Sequence, residues 1–330
     1  MGSKNHQVVP TSLIAHIAKL RHGGVQRILN ELAKKKLVGY LQSARCTFFQ
    51  LCYGVYSQWY LDEGYRMTYG GYDYLALRAF LKRKTAVSVG NQIGVGKESD
   101  VYVVGDETGC SRVLKIQRLG RVSFRAVKSK RDYLQNRKSS SWIYLSRLAA
   151  AKEYAFMKVL FEHGFPVPQP FDLNRHCIVM ELIDAFPLYL WFFLCLIACV
   201  CRRQAEHVDD VGGLHHQLMA LIMRFAEHGL VHCDFNEFNL LLSEKGRITV
   251  IDFPQAISTQ HVDARHHFER DVECIRAFFK RKFGFESETW PVWEDVEALE
   301  RAGKVKRLDR MVAASGFSNK DENILSKVGC

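Results

Sequence analysis

Two acidic side chains and one amide in the second half of this 330-residue chain stand at a spacing that suits the handling of phosphate. Asp234 and Asn239 belong to the run His232-Cys233-Asp234-Phe235-Asn236-Glu237-Phe238-Asn239, and Asp252 follows the apolar stretch Ile248-Thr249-Val250-Ile251. Phosphoryl transfer from a nucleotide needs one carboxylate that orients or deprotonates the acceptor. It also needs an amide oxygen and a second carboxylate that hold magnesium on the phosphates. Asp234 suits the first task, Asn239 and Asp252 the second. An isolated pair at this spacing is common by chance, but here it follows a helical stretch and precedes a β-hairpin that ends in Ile-Asp-Phe.

Upstream, Ile93-Gly94-Val95-Gly96-Lys97-Glu98-Ser99-Asp100 has the form of a glycine-rich phosphate loop. Gly94 and Gly96 let the backbone approach phosphate oxygens, Ser99 adds a hydroxyl donor, and Lys97 adds charge. A Walker loop is excluded, because Gly96-Lys97 is followed by Glu98 and no glycine stands five residues before Gly96. One charged residue, Lys115, interrupts the apolar strand Val113-Leu114-Lys115-Ile116, as a group reaching the α- and β-phosphates would. A carboxylate on the next helix should fix that reach, and Glu153 fits.

The elements that must carry these residues follow from periodicity. Two apolar stripes at helical spacing, Leu13, Ile14, Ile17 and Leu20, then Val25, Ile28, Leu29 and Leu32, are broken at His22-Gly23-Gly24. That is a helix-turn-helix, and Arg27, Lys34, Lys35 and Lys36 lie off its second stripe, where they could meet phosphates. Residues 37–40 and 64–68 would be the strands of a wing, and 72–82 a closing helix. Runs rich in β-formers at 87–89, 100–104 and 112–117 flank the glycine turn. The basic stretch 118–138 reads as a mobile loop, 146–163, 215–228 and 268–279 as helices, and 176–182, 240–242 and 248–251 as strands.

The ordered set Gly94 to Asp100, Lys115, Glu153, Asp234 to Asn239 and Ile251-Asp252-Phe253-Pro254 resembles the RIO kinases. Phe235-Asn236-Glu237-Phe238-Asn239 and the Asp-Phe-Pro-Gln run resemble the branch with an amino-terminal winged helix. The resemblance extends from Val8 to about Phe285. It implies an α/β (α+β) chain: a winged-helix domain at 8–86, then a two-lobed protein-kinase-like RIO domain at 87–285. Within the latter it implies an N-lobe at 87–182, a hinge at 180–184 and a C-lobe at 204–285, with a C-terminal segment at 286–330. It further implies ATP and Mg2+ as cofactors, Asp234 as catalytic aspartate, Asn239 and Asp252 as metal ligands, and Lys115 on the ATP phosphates. Met180, Glu181 and Ile183 fall in the adenine hinge, and Asp252 would also accept the phosphoryl group. The implied role is a serine/threonine kinase or ATPase in cytoplasmic maturation of the small ribosomal subunit, shuttling through the nucleus, with pre-ribosomal particles, their rRNA and assembly factors as partners. A nucleotide-switched RNA-binding module with little catalysis is the alternative.

Three features depart from that pattern. Apolar runs at about 44–60 and at 188–201 are foreign to it. They read either as translated intron sequence or as surface insertions that meet a partner. The second is shorter than the roughly 20 residues of a spanning helix, and a single crossing there would part Lys115 from Asp234; a membrane role is not expected. Cys233 stands where the family often has glycine. Ten cysteines without zinc-site spacing and a polar amino terminus without an apolar signal core point to free thiols in a reducing compartment. The net charge of +11 favours polyanionic partners.

Overall fold

The computed structural model describes residues 8–20, 24–51, 54–119, 142–190 and 210–314, with the backbone alone at 43–62 and 313–314. The expected mobile loop at 118–138 and most of the apolar run at 188–201 lie outside the described residues. The chain forms two units, residues 1–84 and 85–330.

The first unit opens with α1 (Thr11–Ala18) and α2 (Gly24–Lys34), whose apolar stripes meet around buried Val25, Leu29 and Tyr65. The wing is far longer than expected: β1 (Val38–Leu51) and β2 (Gly54–Met67) pair without a break from Val38↔Met67 to Leu51↔Gly54. The apolar run at 44–60, expected as an insertion inside the wing that is foreign to the family pattern, lengthens both of its strands. Its Phe, Tyr and Thr content suits extended backbone, and once the hairpin register is set the added residues of β1 and β2 find partners across the ladder. Gly64 is required where β2 passes the amino terminus, because a Cβ there would lie 2.3 Å from the Val9 carbonyl. The closing helix α3 (Tyr69–Arg83) is capped by Thr68, whose hydroxyl accepts the Gly71 N–H at 3.1 Å.

In the second unit β3 (Ser88–Val95), β4 (Ser99–Gly105), β5 (Ser111–Gln117), β6 (Pro170–Asn174) and β7 (Cys177–Glu181) form one antiparallel sheet in the order β3-β4-β5-β7-β6. Helix α4 (Trp142–Glu162) packs against it and buries Ala149, Ala150, Phe156 and Met157. Beyond the hinge come β8 (Phe186–Pro187), α5 (Val211–Glu227), β9 (Leu230–Val231), β10 (Leu240–Leu242), β11 (Ile248–Val250), β12 (Ile257–Ser258) and α6 (Ala264–Phe283). One apolar core joins the sheet side to the helices, from Val113 and Ile178 to Phe225, Phe253 and Phe279.

That core reaches past residue 285. Helices α7 (Trp293–Arg301) and α8 (Leu308–Ala314) bury Trp293, Val296, Leu308 and Val312 in it. Polar ties reinforce the docking: the Ser258 hydroxyl donates to Asp309 at 2.7 Å and the Thr259 hydroxyl to Glu300 at 3.0 Å. Among the described residues no helix is long and apolar enough to cross a membrane.

Candidate active site

Lys115 is the only charged residue in the inward half of β5, and it is 6% exposed. Its Nζ lies 2.6 Å from Glu153 Oε1 and 2.8 Å from Asp252 Oδ1. Burial alone would push the ammonium down, but the carboxylates of Asp252 and Glu153 outweigh it and hold Lys115 above its ordinary range. Glu153 is 1% exposed on α4, and its second oxygen accepts from Gln117 Nε2 at 2.6 Å. Burial pushes its carboxyl up while Lys115 pulls it back. Asp252 feels the same desolvation, yet its ion pair with Lys115 holds it below the usual aspartate value.

Asp234 heads the loop that joins β9 to β10. Its Oδ1 accepts from Asn236 Nδ2 and its Oδ2 from Asn239 Nδ2, both at 2.8 Å. The same Asn239 amide group donates to the Asp234 carbonyl at 2.9 Å, which leaves the amide oxygen for a cation. The Ile251 N–H donates to the Asn239 carbonyl at 3.0 Å, tying the loop to the residue before Asp252. Asp234 titrates above its ordinary value, first through burial and then through the charge of Asp252. The sequence thus brings Lys115, Glu153, Asp234, Asn239 and Asp252 into one cleft.

Gly94 stands one residue before the close of β3, Gly96 and Lys97 lie in the turn, and Ser99 opens β4. The Gly96 N–H donates to the Ser99 carbonyl at 2.7 Å, and a Cβ on Gly96 would sit 3.2 Å from that oxygen. Lys97 is exposed at the tip. Met180 is buried opposite Val113, two strand positions from the Lys115↔Ile178 pair. The Glu181 backbone N–H donates to the Gln169 carbonyl at 2.9 Å, and its carboxylate accepts the Gln169 N–H at 3.1 Å. The Ile183 carbonyl accepts from Ala185 at 3.0 Å. These hinge residues share the sheet's edge with the cleft but make none of the contacts of the Lys115 cluster described above.

Periodicity did not single out Asp271. This residue of α6 is 2% exposed and accepts two backbone N–H groups of the catalytic loop, Cys233 at 2.8 Å and Phe235 at 3.1 Å. Its neighbour Arg270 donates to the Cys233 carbonyl. The grip explains how Cys233 holds φ = +66°, a left-handed conformation natural to glycine that costs other residues about 1–2 kcal/mol. Asp252 also lies in that region, at φ = +72°. The departure at Cys233 is therefore tolerated in the backbone that a glycine would have adopted freely.

Burial pushes Asp271 up to about 7, although the two N–H bonds pull against it. An aspartate that titrates there when folded and near 4 when unfolded holds more protons in the folded state between those values. Its contribution to stability is fullest below about pH 4 and falls as pH rises toward 7. Buried His232, lowered to about 4, acts in the opposite sense, and its contribution is lost as pH falls from about 6.5 toward 4. We expect the urea midpoint of the parent, measured relative to Asp271→Asn, to decline between pH 4 and 7. Parallel curves would show that Asp271 does not titrate in that window.

Comparisons with known proteins identify the family of the chain. The RIO domain family matches residues 100–290, and the Rio2 N-terminal family matches residues 1–61. The chain is 50% identical to the serine/threonine-protein kinase rio2 of Schizosaccharomyces pombe, over 99% of this chain and 85% of that protein. It is also 50% identical to the serine/threonine-protein kinase RIO2 of Caenorhabditis elegans over 97% of this chain, but spans only 54% of that longer protein. A crystal structure of the Rio2 kinase of Chaetomium thermophilum, in an ADP/Mg2+-phosphoaspartate complex, superposes with a TM-score of 0.78 at 46% identity and covers 99% of this chain and 91% of the other.

Proposed function

The chain belongs to the RIO family, in the branch that carries the Rio2 amino-terminal domain, and from that premise we propose that it is a serine/threonine kinase and ATPase that uses ATP and Mg2+ and passes the γ-phosphoryl group first to Asp252. The observation that carries the reading is the cleft in which Lys115 holds Asp252 at 2.8 Å while Asp234 and Asn239 are locked to each other beside it. The phosphoaspartate of the Chaetomium relative supports the choice of acceptor.

The donor set suits a magnesium ion shared with phosphates. Asp252 keeps 38% of its side-chain surface open, the Asn239 amide oxygen is spared by its N–H bonds, and no group of three His, Cys, Asp or Glu able to hold a metal unaided occurs among the described residues. When bound, Mg2+ would neutralise charge on the β- and γ-phosphates. Lys115, fixed by Glu153, would hold the α- and β-phosphates. The Gly94 to Ser99 turn would cover the triphosphate, and Met180, Glu181 and Ile183 would seat the adenine.

A carboxylate nucleophile carries no proton to remove. An oxygen of Asp252 forms a bond to the γ-phosphorus as the bond to the ADP oxygen breaks, leaving an acyl phosphate and ADP. Hydrolysis then does require a base, and Asp234, raised above its ordinary value, would take a proton from water or from a serine hydroxyl. Phosphate leaves and Asp252 is restored.

We assign this cycle to cytoplasmic maturation of the small ribosomal subunit, with nuclear shuttling. The net charge of +11 and the basic residues beside the α2 stripe support an rRNA-bearing partner. The test is to label the protein from γ-labelled ATP and treat it with hydroxylamine, with and without pre-small-subunit particles. The label should be released by hydroxylamine, and the particles should change the turnover rate. A resistant label on serine would replace the aspartyl cycle with ordinary serine autophosphorylation.

A further inference from the structure

A second feature of the catalytic unit takes no part in this chemistry. Between α5, the last turns of α6 and the segment that follows it lies a groove of about 370 Å3. His215 floors it, packed edge-on to Phe279 at 5.1 Å. On its wall Arg276 and Lys280 stand about 6 Å apart along α6, just over one helical turn, with Arg281 next to them. Beside it Trp290, 40% exposed, lies 3.6 Å beneath the Arg276 guanidinium. A row of cations for successive phosphates beside an aromatic face on which a base could stack is the chemistry that recognises single-stranded nucleic acid.

Each cation has a carboxylate partner in the free protein: Arg276 with Glu273 at 2.7 Å, Lys280 with Glu286 at 2.7 Å, and Arg281 with Glu237 at 2.8 Å. Glu273 and Glu286 are 63% and 59% exposed, so those two pairs are weak enough for a phosphate to replace the carboxylate. The third differs. Glu237 is only 13% exposed and lies inside the catalytic loop, between Asp234 and Asn239. A phosphate that draws Arg281 away would remove one of the anchors of that loop.

We infer that this groove docks single-stranded RNA and that the Arg281–Glu237 pair reports its occupancy to the catalytic loop. The inference rests on the proposed rRNA-bearing partner and adds a place and a coupling to it.

The test uses the full chain, a short fluorescent oligoribonucleotide and five proteins of matched thermal stability: the parent, Arg276→Ala/Lys280→Ala, Trp290→Ala, Arg281→Ala, and Arg27→Glu/Lys34→Glu/Lys35→Glu. The groove variant should bind about tenfold or more weakly with a shallower salt dependence, Trp290→Ala should weaken binding at unchanged salt slope, and saturating RNA should slow ATP turnover in the parent but not in Arg281→Ala. If the groove variant binds like the parent while only the winged-helix variant weakens, the groove is not the site and the rRNA-binding reading stands. If an oligoglutamate peptide of equal charge competes equally well, the face recognises acidic protein and the inference falls. A parent that binds no RNA overturns both readings.

Discussion

Asp252→Ala is expected to abolish the hydroxylamine-labile label and to lower ATP turnover by a factor of about 10^3 or more, since it removes the acceptor and a metal-binding oxygen together. It also frees Lys115, which then keeps only Glu153 at 2.6 Å among its two carboxylates. Asp234→Asn is the informative companion. It keeps the size of the side chain, although one of the two oxygens that accept from Asn236 and Asn239 becomes a donor, and it should slow the proton-dependent steps by about 10^2 to 10^4 while ATP affinity changes little. Steady-state turnover, ATP titration and label stoichiometry measured on both proteins separate the roles. A nucleotide-switched module with little catalysis would keep its function in Asp234→Asn, and that outcome would transfer the family's chemistry in this chain to a binding role.

The second large effect is expected at Glu153. Lys115 and Glu153 are 8% and 1% exposed at their side chains, so the pair is desolvated and removal of one partner leaves a buried charge. Breaking a buried pair of this kind costs about 3–5 kcal/mol; here Asp252 remains as a partner, so Glu153→Ala should fall toward the lower end. The consequence for catalysis is larger than that for stability. With Glu153 gone, Lys115 is held by Asp252 alone, and the carboxylate needed for metal and phosphoryl transfer is engaged by the lysine meant to hold phosphate. We expect KM for ATP to rise together with a fall in kcat, read against the urea midpoint of the same protein. A change in the midpoint with both kinetic constants unchanged would make the pair purely structural.

The chemistry of this chain was legible wherever a residue broke a local pattern. Lys115 interrupts an apolar strand, Asp234 and Asn239 keep a fixed spacing, and Asp252 ends a short β-rich run; each anomaly survives in the fold as a member of one cleft. Asp271 was illegible for the opposite reason. It lies 38 residues from Cys233 on an ordinary amphipathic helix, and only the packing of α6 under the loop turns it into a latch. At 44–60 composition alone gives no register, and the hairpin pairing that accommodates the run shows only in the fold. The two-residue strands β8, β9 and β12 are too short for any period to show, and the burial of α7 and α8 depends on docking partners distant in sequence.

The docking of α7 and α8 sets an order on the birth of the protein. During synthesis the chain emerges from its amino end, and the first unit, with Tyr65 closing on Val25 and Leu29, has all its core residues in hand by residue 84. The catalytic unit does not. Asp309 meets Ser258 in the strand β12 that pairs with β9 at the base of the catalytic loop, and Leu308 and Val312 complete the core behind it. Residues as far as about 312 must therefore leave the exit tunnel before the cleft can close around a nucleotide, so a nascent chain stalled short of residue 312 would display its amino-terminal unit while still unable to turn over ATP.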